Sequence, residues 1–409
     1  MFSISDSDIL AAFRINYRQF LSFLPDVLYT IDNYYEEIEQ FAKDLKACKR
    51  NHKKIVDISW GRMGKVGIRI CGNFGACGIR AYTYPEEAST MPRIRETDIL
   101  SIRSGTGTTR QVVEALDLLL GEYSRNYKGH PKIYTWTHDL KSILARTTHE
   151  HDGTVIYVRG EEEVSKVVKD FYERQLKDPL TITPMGTRDE FNHMRLFDYF
   201  TPSLQEFLKK RRFSFEPFKT RFTDLCTDFS ILEESLSNEV QQEELINSVH
   251  DLVPARRLIL IADAYTSVIG GMIADRARNV FSEDVDIINF DSSKRPISRL
   301  IIPGTKVISI SKTGESKFTL EETLNAKNLG ASYTLITENP KAKLAKDCNK
   351  KIVSPNTEEH WRKIGKYLLR TEEIEMSVGD CLLMAAAAAK KKTEAEMLDD
   401  HVPGYKTSK

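Results

Sequence analysis

Much of what this chain lacks is informative. No apolar run in its 409 residues approaches the roughly 18 that a bilayer-spanning helix needs. The start MFSISDSDIL has no basic stretch followed by an apolar one, so the expectation is a soluble, cytoplasmic protein with no membrane partner. Charge of one sign is also missing: Lys plus Arg and Asp plus Glu both number 59. Without a basic surplus a polyanion-binding surface has little to work with, and nucleic acid is not expected as a partner. Six cysteines are scattered with no CxxC pair, which reads as reduced thiols with no disulfide frame and no zinc site. GxxxxGK[ST] is absent, and no GxGxxG falls in register, so a Walker loop is excluded and a dinucleotide site is only weakly supported.

What is present is enough chain, 41% of it hydrophobic, to bury two cores. One stretch organises it: SIRSGTGTTRQVVEALDLLLG, residues 101–121. Ile99, Leu100 and Ile102 close a buried strand. Ser104, Gly105, Thr106, Gly107, Thr108 and Thr109 then make a turn of glycines and hydroxyls, and Val112, Val113, Ala115, Leu116, Leu119 and Leu120 follow at helical spacing. Glycine lets a ligand come close to the backbone, and the N–H groups of a first helical turn favour an anion, so the turn suits a phosphate dianion. An ordinary capped helix explains the same stretch.

A second copy weighs against that plainer reading. VISISKTGESKFTLEETLNAKNLG, residues 307–330, repeats strand, hydroxyl turn, helix and closing glycine. Ser311, Thr313, Gly314 and Ser316 fall 207 positions after Ser104, Thr106, Gly107 and Thr109, close to half the chain. An internal duplication leaves that offset.

Along the chain, residues 8–50 carry apolar positions spaced by three and four, interrupted around Pro25, and predict two helices packing on the first domain or serving an oligomer interface. KIVDISW, IRAYTY, the opening stretch, KIYTWT and TVIYVRG predict five strands alternating with helices, hence a parallel sheet with its ligand beyond the strands' carboxyl ends. Gly61 and Gly64 mark a strand-to-helix turn at one such end, and Gly72, Gly75 and Gly78 are expected to allow close packing further along that helix. Arg62 in this turn could pair a phosphate, a sugar hydroxyl or a surface carboxylate. THEHD, residues 148–152, offers His149 and His151 on one strand face, but no third ligand follows nearby and a surface loop is the better reading. A helix is predicted from near Thr187, with Glu190 and His193 on one face of its first turns. The residues after it carry the basic run KKRR, read as a solvated face, and lead into a second series of strands: RLILIA, VDIINF, the second hydroxyl turn, SYTLIT and KKIVSP. The boundaries expected are N-terminal helices 1–50, a first domain 51–210, a helical connection 211–254 and a second domain with its tail 255–409.

At these residues the sequence resembles the sugar isomerase (SIS) family of phosphosugar-binding domains, twice over, the first copy being most similar to 6-phospho-3-hexuloisomerases. SWGRMG, residues 59–64, matches the family's GxGRSG turn, and SGTGTT its SGSGET phosphate loop. PMGTRDE, ending on Glu190, matches its PMGTxFE approach to the catalytic glutamate, and EAEMLDDH, ending on His401, its EEMxxRH tail. The fold implied is α/β: two tandem domains, each a five-stranded parallel sheet flanked by helices in a flavodoxin-like three-layer sandwich. The departures are Trp60 and Met63 in the first turn, Ala262 to Ser267 without the glycines and arginine, Lys312 for a glycine, and Asp380 where a second glutamate is expected.

The resemblance implies a sugar-phosphate isomerase working through an enediol, without metal or organic cofactor, in a homo-oligomer built as a dimer of pseudo-dimers. Ser59, Gly61, Arg62, Ser104, Gly105, Thr106, Thr108 and Thr109 would hold the substrate, and Glu190 would be the base. His401, or His193 as its understudy, would shuttle the proton between oxygens, with His401 meeting Glu190 from the other half. Thr266, Ser267, Ser311, Thr313, Glu315, Ser316 and Asp380 would form the altered second-copy site. A phosphosugar-binding regulator and an amino-sugar-phosphate isomerase or deaminase are the alternatives.

Overall fold

The computed structural model describes residues 5–89, 93–95, 97–126, 131–160, 187–210, 212–263, 266–281, 285–290, 295–346, 348, 350–354 and 369–390. Three helices open the chain, α1 (Asp6–Ser22), α2 (Leu24–Asn33) and α3 (Tyr35–Arg50), where the spacing predicted two. Pro25 sits in the first turn of α2, where its missing N–H costs nothing. The additional break comes at Tyr34, whose φ of −124° and ψ of 32° leave the helical region.

The first sheet follows as β1 (Lys54–Ile58), α4 (Gly61–Ala76), β2 (Arg80–Tyr84), β3 (Ile99–Arg103), α5 (Arg110–Asn126), β4 (Lys132–Thr137), α6 (Ile143–Glu150) and β5 (Thr154–Tyr157), with α7 (Thr187–Lys209) after it. Its strands are all parallel in the order β2-β1-β3-β4-β5. Next come α8 (Glu216–Ser235) and α9 (Glu239–Leu252). The second sheet is built from β6 (Arg257–Ala262), α10 (Thr266–Phe281), β7 (Asp286–Asn289), β8 (Thr305–Ile310), α11 (Lys317–Asn328), β9 (Ser332–Thr337), α12 (Lys343–Lys346) and β10 (Lys351–Val353), with α13 (Leu369–Ala389) last. Its order, β7-β6-β8-β9-β10, repeats that of the first sheet strand for strand. This is the three-layer α/β architecture expected, in its flavodoxin-like order.

Continuous apolar runs make the central strands because both faces of a parallel sheet are covered. In the first sheet Val56, Ile58, Leu100, Ile102 and Ile133 pack against Val112, Ala115, Leu116 and Leu120 of α5 and Leu144 of α6. The opposite face is aromatic: Phe41 of α3 meets the rings of Phe74, Tyr134, Trp136, Phe197 and Phe200 at centroid distances of 4.7–6.3 Å. That face also buries charge, since Asp57 and Arg103 are 1% and 0% exposed.

The chain divides into two compact units. One holds the first sheet with α2 to α7 and runs to residue 224, and the other holds the second sheet together with α1. Helix α1 therefore counts with the second sheet's unit. The Tyr17 hydroxyl donates to the Phe229 carbonyl at 2.6 Å, Arg18 pairs with Glu233 at 3.0 Å, and His250 meets Asp6 at 2.8 Å. The segment THEHD also differs from its reading as a loop. His149 and Glu150 end α6, with His151 as its C-cap, because Ser142 caps the helix at its start and the turn at Asp152 and Gly153 comes only afterwards.

Candidate functional site

Two strand-to-helix turns stand at the carboxyl ends of β1 and β3, which are neighbours at the point where the strand order reverses. The β3–α5 turn is tightly specified. Gly107 has φ +64°, a conformation that favours glycine, and a Cβ there would overlap Ser142 Oγ. Ser104 Oγ accepts the Gly107 N–H at 3.1 Å and pairs with Thr109 Oγ1 at 2.9 Å, while Thr106 and Thr108 hydroxyls pair at 2.9 Å. The Thr137 hydroxyl donates to the Gly105 carbonyl at 2.8 Å. The hydroxyls thus pair with each other in twos, but each pair spends only one of its two O–H donors, and Thr108 lies exposed at the rim.

The second turn repeats the part of this wiring that involves the main chain. Gly314 has φ +62° and gives its N–H to Ser311 Oγ at 3.1 Å; Glu315 N–H goes to Thr313 Oγ1 at 3.2 Å, as Thr108 N–H goes to Thr106 Oγ1 at 3.3 Å. Thr337 donates to the Lys312 carbonyl at 3.0 Å. Lys312, in the place of Gly105, holds its ammonium 3.8 Å from Glu338. Ser316 is partly buried, Thr313 and Glu315 are exposed, and Thr266 and Ser267 stand in the first turn of α10.

In the β1–α4 turn Ser59 is buried and donates to Asp57 Oδ1 at 2.7 Å, and Asp57 Oδ2 faces the Arg103 guanidinium. Gly61 has φ +61° with nothing within 4 Å of a would-be Cβ. The close approach on α4 is made by Gly67, where a Cβ would overlap Asp57 and Ser59; Gly75 has nothing within 4 Å, and Gly78 supplies a φ of +74° instead. Trp60 is 40% exposed at the rim of the turn.

The structure brings two sequence candidates together. Arg62 Nη1 lies 2.9 Å from Glu190 Oε2, with the side chains 4% and 10% exposed. Next to Glu190, Asp189 backs onto the β3–α5 turn: a Cβ at Gly105 would stand 2.6 Å from Asp189 Cγ. Asp189 Oδ1 bonds His138 Nδ1 at 2.8 Å. Neither residue was visible as a partner in the sequence, since 51 positions separate them. Two glycines carry the signal: a Cβ at Gly160 would overlap Asp189 Oδ1 and stand 2.5 Å from His138 Nδ1.

His193 is placed differently. It is fully buried, with Nδ1 2.7 Å from the Asp189 carbonyl and Nε2 3.3 Å from the Trp136 carbonyl. Desolvation, with Arg103 adding to it, pushes its pKa down to about 4. Its ring nitrogens face the main chain, which fits a role in holding α7. His401 lies outside the described residues.

Asp380 takes the place of Asp198, not that of Glu190. Asp198 receives Arg69 Nε at 2.9 Å and Asn73 at 2.9 Å. Gly67 closes on Asp57 and Ser59 as Gly270 closes on Leu260 and Ala262, a constant offset of 203 that sets Asn73 opposite Arg276. Arg276 Nε lies 3.5 Å from Asp380 Oδ2, both 1% exposed. The sequence signal is in the helices themselves: TRDEFNHMRLFD and LRTEEIEMSVGD share Arg, Glu, Met and Asp at matching positions, which puts Glu372 at the register position of Glu190.

No family model matches the sequence, and no curated protein does. Solved structures match over nearly the whole chain. The tagatose-6-phosphate ketose/aldose isomerase from Escherichia coli superposes with a TM-score of 0.65 at 11% identity, covering 97% of both chains. The C-terminal domain of glucosamine-fructose-6-phosphate aminotransferase from Francisella tularensis gives 0.62 at 12% identity, covering 95% of this chain and 98% of its own. The fold is the tandem sugar-isomerase fold. A glucosamine-6-phosphate deaminase from Thermotoga maritima shares it with a TM-score of 0.53 at 14% identity over 93% of this chain and 98% of its own. Within this tandem fold both copies keep the hydroxyl turn, while the sequence around it has diverged.

Proposed function

We propose that this tandem sugar-isomerase chain isomerises a sugar phosphate through an enediol in its first copy. The observation that carries the reading is the setting of Glu190: it is paired with Arg62 from the β1–α4 turn, and its neighbour Asp189 is packed on Gly105 of the β3–α5 turn. A carboxylate thus stands beside each of the two turns, Glu190 at one and Asp189 at the other, at the switch point where α/β sheets bind ligands. The hydroxyl turn and the α5 N-terminus would hold the phosphate, and that remote binding orients the reacting carbons. Glu190 would take the proton alpha to the carbonyl and return it to the adjacent carbon. The proteins named above that share the fold act on phosphosugars, which supports the substrate class. Hexulose 6-phosphate with fructose 6-phosphate is the first pair to test.

A regulatory binding role is the second reading, and Lys312 with Glu338 favours it for the second copy, where charged side chains stand at the positions of Gly105 and His138. Proton exchange separates the two readings. With fructose 6-phosphate in deuterium oxide, the isomerase incorporates deuterium at carbon, and Glu190→Gln binds without exchange. Binding by the wild type with no exchange supports the regulator, and full exchange by Glu190→Gln removes that carboxylate from the mechanism.

A further inference from the structure

Enediol chemistry needs a second group besides the carbon base, because a proton must also pass between the two sugar oxygens. We propose that His138, held by Asp189, is that group. The inference rests on the isomerase reading and names a residue which that reading lacks.

The position of His138 comes from the sheet. It follows β4 directly, the strand beside β3, so it projects from the same carboxyl end as the hydroxyl turn. Its main-chain N–H donates to the Gly105 carbonyl at 3.0 Å, fixing it against the turn. Its ring is fixed by Asp189 at 2.8 Å, with the two side chains 11% and 6% exposed. A carboxylate accepts only, so the Nδ1–H donates to it and Nε2 becomes the nitrogen that gains or loses a proton. Carboxylate, imidazole and an adjacent reacting group form the arrangement by which an acid–base histidine is held in one tautomer. The pair has also shaped the backbone around it, since side chains at Gly105 or Gly160 would collide with it.

The neighbouring histidine does not fit this role. His193 has both ring nitrogens against main-chain carbonyls and a pKa pushed down to about 4, so it stays neutral where an imidazolium donor is needed. The second copy supplies the contrast. Glu338 gives its N–H to the Lys312 carbonyl at 3.0 Å as His138 does to Gly105, so the position is the same and the imidazole is replaced by a carboxylate beside an ammonium. The imidazole belongs to the copy with the Arg62–Glu190 pair.

Glu190 breaks the C–H bond alpha to the carbonyl while the imidazolium Nε2–H protonates the carbonyl oxygen, leaving an enediol, neutral imidazole and carboxylic acid. The neutral imidazole then takes the proton from the other hydroxyl as Glu190 returns its proton to the former carbonyl carbon. Both groups end as they began.

The test uses the full chain with fructose 6-phosphate. In protein labelled at histidine, adding the sugar phosphate should move the His138 ring resonance, assigned through His138→Asn; an unmoved resonance in the saturated protein overturns the contact. Asparagine keeps a donor for Asp189, so His138→Asn should still bind while deuterium exchange at carbon falls by about 10²–10⁴ with KM little changed. In His138→Ala, added imidazole should restore part of the exchange, which no merely structural role predicts. Exchange at the wild-type rate in His138→Asn overturns this assignment and leaves the isomerase reading standing. No exchange in the wild type overturns the isomerase reading, and the assignment with it.

Discussion

His193 gives the sharpest physical test of the first unit. It is fully buried and its pKa is lowered from 6.5 to about 4, so the folded chain binds fewer protons than the unfolded chain between those values. Stability then rises with pH across that window and falls as pH drops through it. Below about pH 4 both states are protonated and the loss is complete. A gap of about 2.5 pH units at 1.36 kcal/mol each gives roughly 3 kcal/mol. The comparison is wild type against His193→Asn, whose amide can still donate to the Asp189 carbonyl in place of Nδ1–H. Urea midpoints would be followed from pH 7 to pH 4 by tryptophan fluorescence, since the buried Trp136 reports on the unit that holds His193. Acidic groups that titrate in both proteins cancel in the difference. The wild type should lose up to about 3 kcal/mol more than the variant, with the excess falling mainly between pH 6.5 and 4. Parallel curves through that window would show that burial does not hold this imidazole neutral, and the case against it as a proton donor would fail.

The other predictions rest on single contacts. Gly107→Ala should destabilise by on the order of 2–4 kcal/mol, since it combines a φ of +64° with overlap on Ser142, which caps α6 through the Ala145 N–H. Gly61→Ala has the same φ problem in open space and should cost only about 1 kcal/mol; urea midpoints of the two variants should therefore separate clearly, and equal losses would refute the packing argument. Asp198→Ala strands the buried Arg69 guanidinium and should cost on the order of 3–5 kcal/mol by the same measurement, while a loss under about 1 kcal/mol would mean the pair is not buried as described. Glu190→Gln should abolish deuterium exchange while keeping phosphosugar binding, read by NMR and calorimetry on the same samples.

Some of this was legible along the chain because its causes are local. Runs such as ILSIR and TKVISI predict strands covered on both faces, and all ten strands appear where the runs placed them. The two hydroxyl turns were legible because a positive φ at Gly107 and Gly314 requires the residue found there, and the duplication followed from their equal offsets from Ser104 and Ser311. Glu190 was found by motif, at the start of a helix whose apolar spacing is clear.

Other features depend on long-range packing. His138 and Asp189 meet only because β4 ends beside the first turn of α7, and nothing in either local stretch predicts that they are neighbours. Helix α1 reads as part of the N-terminal helical group until Tyr17 is seen to bond Phe229, 212 positions away. Asp380 looked like a shortened glutamate until Arg276 showed that it occupies the place of Asp198. The sequence by itself determined the strands, turns and duplication, because periodicity and backbone strain act over a few residues. The tertiary structure alone decided which charged groups are paired, because the cost of burying a charge is met only by a partner that folding brings from elsewhere in the chain.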